Sequence, residues 1–441
     1  MGSHQFTREA QHSGTRRLPS WQRMALALAL IPLLAGCGRF GAAPTPTPEP
    51  VTLRYIALNP DGAERVLLDA YEAAHPHVTI EVSPYQLLPA DYVTETDAPE
   101  LLYITPGWFL DSAAATGQLT DLTDLWEQTG LVERYPAGLQ ALSAQDGRQV
   151  FLPLGYRWVG LYYNRGLFEA LGIAPPATWD DLILAADVLL DAGIHPFALA
   201  GEDLWLTSLW FDYLVMRLHG PEVLAALQRG EIPYTDARVE EALTTWRWMF
   251  ENGYFDPIAY RTDTLTALMS VIHRPEADFV SQKAGMLLAG PDFLTELPEP
   301  LRADLAFVPF PVIDPNVTTG EVAIASGYVA PATATHSDEA LRFLEYAVTD
   351  AGADALASIA LEQDLVPATG IQGLENIPDQ LLEGARLVSQ ANVVRPPFIF
   401  GLTFDEQAAY GRVIDTMLRE VNTDGTFNVE NALTALDMAL Q

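Results

Sequence analysis

Phe151-Leu152-Pro153-Leu154-Gly155-Tyr156-Arg157-Trp158-Val159-Gly160-Leu161-Tyr162-Tyr163-Asn164 is a long extended stretch, rich in aromatic and branched residues and broken near its middle by glycines. Such residues favour strands, and glycine inside a strand marks a bend or a close backbone approach. The stretch reads as a crossover strand between two lobes. Upstream of it, strand and helix patterns alternate. Residues 51–58 form a short apolar strand, and residues 63–74 have helical spacing of Val66, Leu67, Ala70 and Tyr71. Residues 78–82 return to strand, residues 100–104 give another buried strand, and a helix beginning at Asp111 is closed by Gly117-Gln118-Leu119. This alternation implies an α/β unit whose sheet is covered on both faces and whose ligand-facing loops lie at strand ends.

Downstream, Ala174-Pro175-Pro176-Ala177-Thr178-Trp179-Asp180-Asp181 opens a helix. Thr178 can cap its first turn, and Asp180 and Asp181 meet the positive end of its dipole. Leu182, Ala185, Ala186, Leu189 and Leu190 supply the apolar stripe. From there to Phe250 the chain is dense in helical patterns and carries Trp205, Trp210, Trp246 and Trp248.

The 441 residues carry a formal net charge of −34, which argues against nucleic-acid binding and against attachment to anionic lipid through a basic patch. With one cysteine no intrachain disulfide can form, so stability rests on the apolar core that a 49% hydrophobic composition can supply. That cysteine ends Leu34-Ala35-Gly36-Cys37, behind an apolar run at 24–34 and the basic residues Arg8, Arg16, Arg17 and Arg23. The order resembles a bacterial lipoprotein signal, which implies removal of the leader, lipidation of Cys37 and anchorage to the cell membrane. The alternative is a buried free cysteine closing an apolar segment. Residues 38–50 follow as a Pro-rich stalk, Ala-Pro-Thr-Pro-Thr-Pro-Glu-Pro at its end, extended at about 3.1 Å per residue. Beyond it, about 390 residues suggest two or three compact units.

Little points to catalysis or a cofactor. No Gly-x-Ser-x-Gly elbow and no Gly-x-x-x-x-Gly-Lys phosphate cradle occurs. His75-x-His77 has Pro76 between its members and no third ligand at metal spacing, so no metal is expected. Adjacent side chains on a helix diverge, which makes Asp180 and Asp181 a cap rather than a catalytic pair.

Several further segments are specific in their order. They are Tyr71-Glu72-Ala73-Ala74-His75-Pro76; Gly117-Gln118-Leu119-Thr120-Asp121-Leu122; Leu161-Tyr162-Tyr163-Asn164 with Leu167-Phe168; and the Pro175–Asp181 helix start. Phe279-Val280-Ser281-Gln282-Lys283-Ala284-Gly285-Met286 with Gly290-Pro291, Glu339-Ala340-Leu341-Arg342-Phe343-Leu344 and Leu365-Val366-Pro367-Ala368 follow. Together they resemble the extracytoplasmic sugar-binding proteins of ABC importers, of the maltodextrin-binding type, through nearly all the mature chain. Lys283, the single lysine, stands where that family shows a basic residue before Ala-x-Met. The chain departs from the family between Val82 and Glu100, where room for a further helix is missing and the usual Pro-Asp is Pro99-Glu100.

The resemblance implies a two-lobed periplasmic-binding-protein-like α/β fold with a ligand cleft between lobes joined by crossover hinge strands. Lobe 1 is expected at 51–156 and 327–370, lobe 2 at 157–326 and 371–441, with hinges near 155–160, 326–328 and Thr369. A sugar offers flat C–H faces and a hydroxyl rim, so its site needs aromatic platforms and planar polar groups. The expected contacts are Asn59 and Asp61 after the first strand, Trp108 in a loop beside Gly107, and Tyr156, Arg157 and Trp158 on the crossover. Asp292, Phe293 and Tyr328 follow, with Phe398 and Phe400 near the end and Trp205 or Trp210 from the helical region. Asn-Pro-Asp-Gly at 59–62 is equally suited to a turn, Trp108 to a lobe surface or core, and Trp205 and Trp210 to helix core. Alternation puts Tyr156 and Trp158 on one strand face and Arg157 on the other. Arg157 could hold vicinal hydroxyls or an acidic sugar, or pair with a carboxylate.

The function implied is a monomeric, lipid-anchored, extracytoplasmic receptor that closes on a carbohydrate and presents it to an ABC permease, without enzymatic activity or cofactor. Two rivals remain: a secreted glycoside hydrolase, which needs two carboxylates about 5–9 Å apart, and a surface sensor on the same fold.

Overall fold

The crossover stretch joins two sheets in the computed structural model, which describes residues 49–57, 64–256, 258–272, 284–291, 297, 299–362, 365–368 and 379–440. The strands are β1 (Val51–Ala57), β2 (Val78–Pro84), β3 (Leu101–Ile104), β4 (Ala144–Gln145), β5 (Arg148–Gln149), β6 (Leu152–Trp158) and β7 (Gly160–Asn164). They continue with β8 (His195–Ala198), β9 (Ala284–Ala289), β10 (Leu305–Val308), β11 (Gly320–Val329), β12 (Val366–Pro367) and β13 (Val393–Arg395). One sheet has the order β12-β6-β11-β3-β1-β2, with β13 added alongside β11; the other has the order β10-β7-β9-β8. β1 pairs in parallel with β2 and β3, whereas β11 runs antiparallel to β3 and β6. Only Val159 separates β6 from β7, so the chain changes sheets across one residue. Its N–H is held by the carbonyl of Val322 on β11 at 3.1 Å.

Local chemistry accounts for the elements around this crossing. The helix Trp179–Asp191 starts with a reciprocal cap, in which the Thr178 hydroxyl accepts from the Asp181 N–H and the Asp181 carboxylate accepts from the Thr178 N–H at 3.0 Å. Leu182, Ala185, Ala186 and Leu189 turn inward from it. The helix Arg65–Ala74 buries Leu67, Leu68 and Tyr71 and leaves Val66 55% exposed, so its buried face lies one position along from the expected one. At 3.6 residues per turn a face centred on 67, 68 and 71 points residue 66 outward. Between β2 and β3 the chain makes a single helical turn, Pro89–Tyr92.

β11 is buried along its whole length and pairs in turn with β13, β6 and β3. Its register on β6 slips between Ser326 and Gly327, and a Cβ at Gly327 would stand 2.1 Å from the Leu152 carbonyl oxygen. Only glycine lets the two backbones approach at this bulge. The helix Leu204–His219 is apolar nearly all round, as befits a helix enclosed by others. Near its end the buried Arg217 donates to the carbonyls of Phe310 (3.1 Å) and Gly320 (2.5 Å) and to Glu321 (2.6 Å), which ties the helix to the start of β11. Among the described residues no helix is long and apolar enough to cross a membrane.

Candidate functional site

An open cleft of about 390 Å³ lies beside β11, and its walls come from segments distant in sequence. Trp108 enters from the first residue of the helix Trp108–Ala115, just after Thr105-Pro106-Gly107 leaves β3. Trp205 enters from the first turn of Leu204–His219, and Phe400 from the 3-10 turn Phe398–Gly401. Phe404 begins the helix Phe404–Asp424, where Thr403 and Glu406 form a second reciprocal cap. Ile324 of β11 supplies an apolar wall, and Thr105 and Gln407 supply polar ones.

The rings form two pairs. Trp108 meets Phe404 edge-on, centroids 6.2 Å apart at 83°, and Trp205 meets Phe400 at 6.1 Å and 38°. Phe404 is 50% exposed, which puts a large apolar ring in contact with whatever enters. A Cβ at Gly107 would lie 2.4 Å from the Phe400 carbonyl oxygen, so glycine there allows the loop after β3 to close onto the turn.

Pro106 and Gly107 also line a second compartment, of about 270 Å³, with different chemistry. Asp111, Gln145, Gln228 and Arg395 face it. The Gln145 amide donates to Asp111, and the Arg395 guanidinium donates to the Gln228 amide oxygen at 2.8 Å. Burial pushes the Asp111 carboxyl pKa up, with Arg395 and Gln145 opposing it, and burial lowers that of Arg395. Opposite charges and two amides around one opening provide both donors and acceptors for a hydroxyl rim.

Arg157 stands opposite Ile324 in the β6–β11 ladder and therefore shares the sheet face that Ile324 presents to the cleft. Nearby, the Thr105 and Ser326 hydroxyls lie 3.3 Å apart. Burial raises the pKa of the Tyr103 hydroxyl, while Ser326 and the Arg157 charge counter it.

Five of the expected contacts lie instead in the cores. Tyr156 and Trp158 are buried on the β6 face away from Arg157; Trp158 packs on Phe307 at 5.3 Å and against Gly384, where a Cβ would be 2.1 Å from its ring. Trp210 is enclosed by Phe197, Phe255 and Phe310. Tyr328 sits among Tyr55, Tyr103 and Phe343, and Phe398 packs on Phe211 and Tyr410. Of the expected set, the structure brings Trp108, Trp205 and Phe400 to the cleft and Arg157 to its sheet face. Cys37, Asn59, Asp61, Lys283, Asp292, Phe293 and Thr369 lie outside the described residues.

Phe404, Gln407, Asp111, Gln145, Gln228 and Arg395 are not among the expected contacts. Phe404 had one signal, its place at the first position of the capped Thr403–Glu406 start; the others had none short of the tertiary fold. His75 stacks on Tyr71 at 4.0 Å and His77 lies 3.8 Å from Glu339, and among the described residues no group of three His, Cys, Asp or Glu is placed to hold a metal.

Two sheets are thus bridged by crossing strands, with an aromatic cleft beside β11. Residues 57–354 match the family described as bacterial extracellular solute-binding protein, and the chain belongs to that family. An ABC transporter extracellular-binding protein of Pyrococcus horikoshii is 25% identical over 325 residues, covering 69% of this chain and 70% of the relative. Among solved structures, the bacterial solute receptor AcbH, which has an exclusive substrate preference for β-D-galactopyranose, superposes with a TM-score of 0.77 at 21% identity. That match covers 88% of this chain and 98% of the receptor. A chitin oligosaccharide binding protein superposes with a TM-score of 0.68 at 19% identity, over 88% and 97% of the two chains. The fold is thus the two-lobed α/β solute-binding fold, and the protein is an extracellular solute-binding protein whose relatives include binding proteins of ABC transporters.

Proposed function

We propose that the solute is a carbohydrate, captured between the lobes and delivered to a membrane permease. The observation that carries this reading is the cleft itself: two ring pairs, Trp108–Phe404 and Trp205–Phe400, beside a compartment faced by Asp111, Gln145, Gln228 and Arg395. Aromatic faces stack on the apolar side of a sugar while amides and charges take its hydroxyls. The sugar-binding neighbours AcbH and the chitin oligosaccharide receptor support the same class.

Lobe 1 comprises 51–156 and 327–370 and lobe 2 comprises 157–326 and 371–441 in this reading. The crossing at Val159 and the glycine bulge at Gly327 are its hinges, with the third near Thr369. A solute that touches both lobes binds the closed form better and shifts the population toward it. The protein acts as a monomeric binding protein rather than an enzyme. In support, Asp111 is the one carboxylate among the described residues facing the two compartments, whereas glycoside hydrolysis needs a pair.

The test is the thermal midpoint of the full-length protein in detergent against a panel of neutral and acidic mono- and oligosaccharides, with product analysis of each mixture. The sugar it takes is expected to raise the midpoint and remain intact; at a hundred times its Kd it adds about 2.7 kcal/mol of stability. Cleaved sugar would transfer the case to the hydrolase reading, and no shift across the panel would reject a carbohydrate solute.

Cys37, in this reading, is acylated and holds the receptor at the cell membrane by its chains, since a chain of net charge −34 gains nothing from anionic headgroups. Cys37→Ser is expected to move the protein from the membrane fraction to the soluble one and to abolish its labelling by a fatty-acid probe. Labelling that persists in the serine variant would reject the anchor.

A further inference from the structure

Two turns beyond Trp205, the helix Leu204–His219 carries Asp212, whose side chain is wholly buried. Its Oδ2 accepts the N–H of Phe398 at 2.8 Å, and its Oδ1 has no hydrogen-bond partner among the described residues. Phe398 opens the 3-10 turn whose Phe400 pairs with Trp205 in the cleft and whose carbonyl abuts Gly107. One buried carboxyl therefore anchors the turn that presents a cleft ring. Two groups face it from neighbouring elements. Arg395 ends β13 just before the turn, and Tyr410, on the helix Phe404–Asp424, has a buried hydroxyl that also lacks a partner. Arg395 in turn faces Arg229 and Asp111, and Tyr410 faces Tyr234.

Burial pushes the Asp212 carboxyl up to about 7, against the opposing pull of the Phe398 N–H and the Arg395 charge. Its proton is thus exchanged near neutrality. The neutral acid receives the Phe398 N–H on one oxygen and leaves only an uncharged O–H on the other, which costs far less to bury than a charge. The carboxylate leaves Oδ1 charged, buried and without a donor, which is costly. The donors at hand are the Arg395 guanidinium, now on Gln228, and the Tyr410 hydroxyl. Arg395 leads directly into the turn, and the Tyr410 ring packs on Phe398 at 5.8 Å, so recruiting either one moves the turn.

We propose that Asp212 is a titrating positioning residue of the solute cleft: protonated, it holds the Phe398–Gly401 turn as seen here, and ionised, it displaces Phe400. The proposal rests on the reading of this cleft as the solute site. Sign follows from linkage. A carboxyl whose folded pKa lies above its unfolded value of about 3.9 contributes stability that is fully present below that value and lost as pH rises through the folded pKa.

The test places 4-fluorophenylalanine at position 400 of the full-length protein and follows its fluorine resonance from about pH 5.5 to 8.5 without any sugar. A sigmoidal shift centred near 7 is expected, absent in Asp212→Asn, whose amide oxygen still accepts from Phe398. Arg395→Gln removes the charge that favours ionisation and is expected to move the midpoint upward. A resonance that does not titrate, one that titrates equally in Asp212→Asn, or a midpoint untouched by Arg395→Gln would overturn the proposal. Because no sugar is present, such a failure is distinct from a failure of the carbohydrate reading.

Discussion

Arg217→Met is expected to lower the unfolding free energy by about 3–5 kcal/mol, read as a fall in the urea midpoint of the full-length protein. The guanidinium is buried and has three partners: the carbonyls of Phe310 and Gly320 and the carboxylate of Glu321. Its plane lies over the Tyr213 ring at 5.1 Å, and Tyr213 donates to the second oxygen of Glu321. Methionine preserves much of the volume but removes every donor, stranding a buried carboxylate and two buried carbonyls. Burial already raises the Glu321 pKa and Arg217 opposes it, so without the arginine Glu321 is driven toward the protonated form. Arg217→Met with Glu321→Met should recover part of the loss, because an apolar pair can replace a buried ion pair, while the two orphaned carbonyls keep the recovery incomplete. A single variant within about 1 kcal/mol of the parent would show that the network stabilises little.

That network was invisible before the fold was known. Arg217 and Glu321 lie far apart in the chain and carry no local pattern, whereas the elements they join were legible from local chemistry. The Thr178–Asp181 cap and the glycine-broken run at 151–164 each announce an element through residue types whose backbone preferences act over a few positions. The same limit explains the site. Trp108 stands out in the sequence because a loop beside glycine does not need a bulky ring for core packing, whereas Trp205 reads no differently from the core residue Trp210, and Phe400 no differently from the core residue Phe398. Tyr156 and Trp158 could be placed on one strand face but not on the inner or the outer one, since that choice was made by the helix Asp379–Gln390, whose Gly384 receives the Trp158 ring. Val66 and Leu68 illustrate the problem on a helix: both are apolar, and only the packing partner decides which is covered. Asp111, Gln145, Gln228 and Arg395 meet through four separate segments, and polar residues with no spacing rule leave no trace in a single sequence.

Alanine at Trp108 or Trp205 is expected to weaken binding of the panel sugar about 10- to 30-fold, a loss of roughly 1.4–2 kcal/mol for each ring. Both rings are partly buried, Trp108 against Phe404 and Trp205 against Phe400, so truncation removes a platform while leaving its partner ring in place. The two pairs share no ring, and the losses in the double variant should therefore add, to more than 100-fold. Trp210→Ala serves as the contrast. That side chain is 1% exposed among three phenylalanines, and its truncation should cost about 3–5 kcal/mol of stability, with any loss of affinity following from unfolding. Calorimetric titration paired with the sugar-free thermal midpoint separates the two outcomes. Affinity must fall at Trp108 and Trp205 with a midpoint close to that of the parent, and the midpoint must fall at Trp210. If both cleft variants bind as the parent does, the solute does not touch these rings, and the site must be sought along the Arg157 and Tyr103 face of the same sheet.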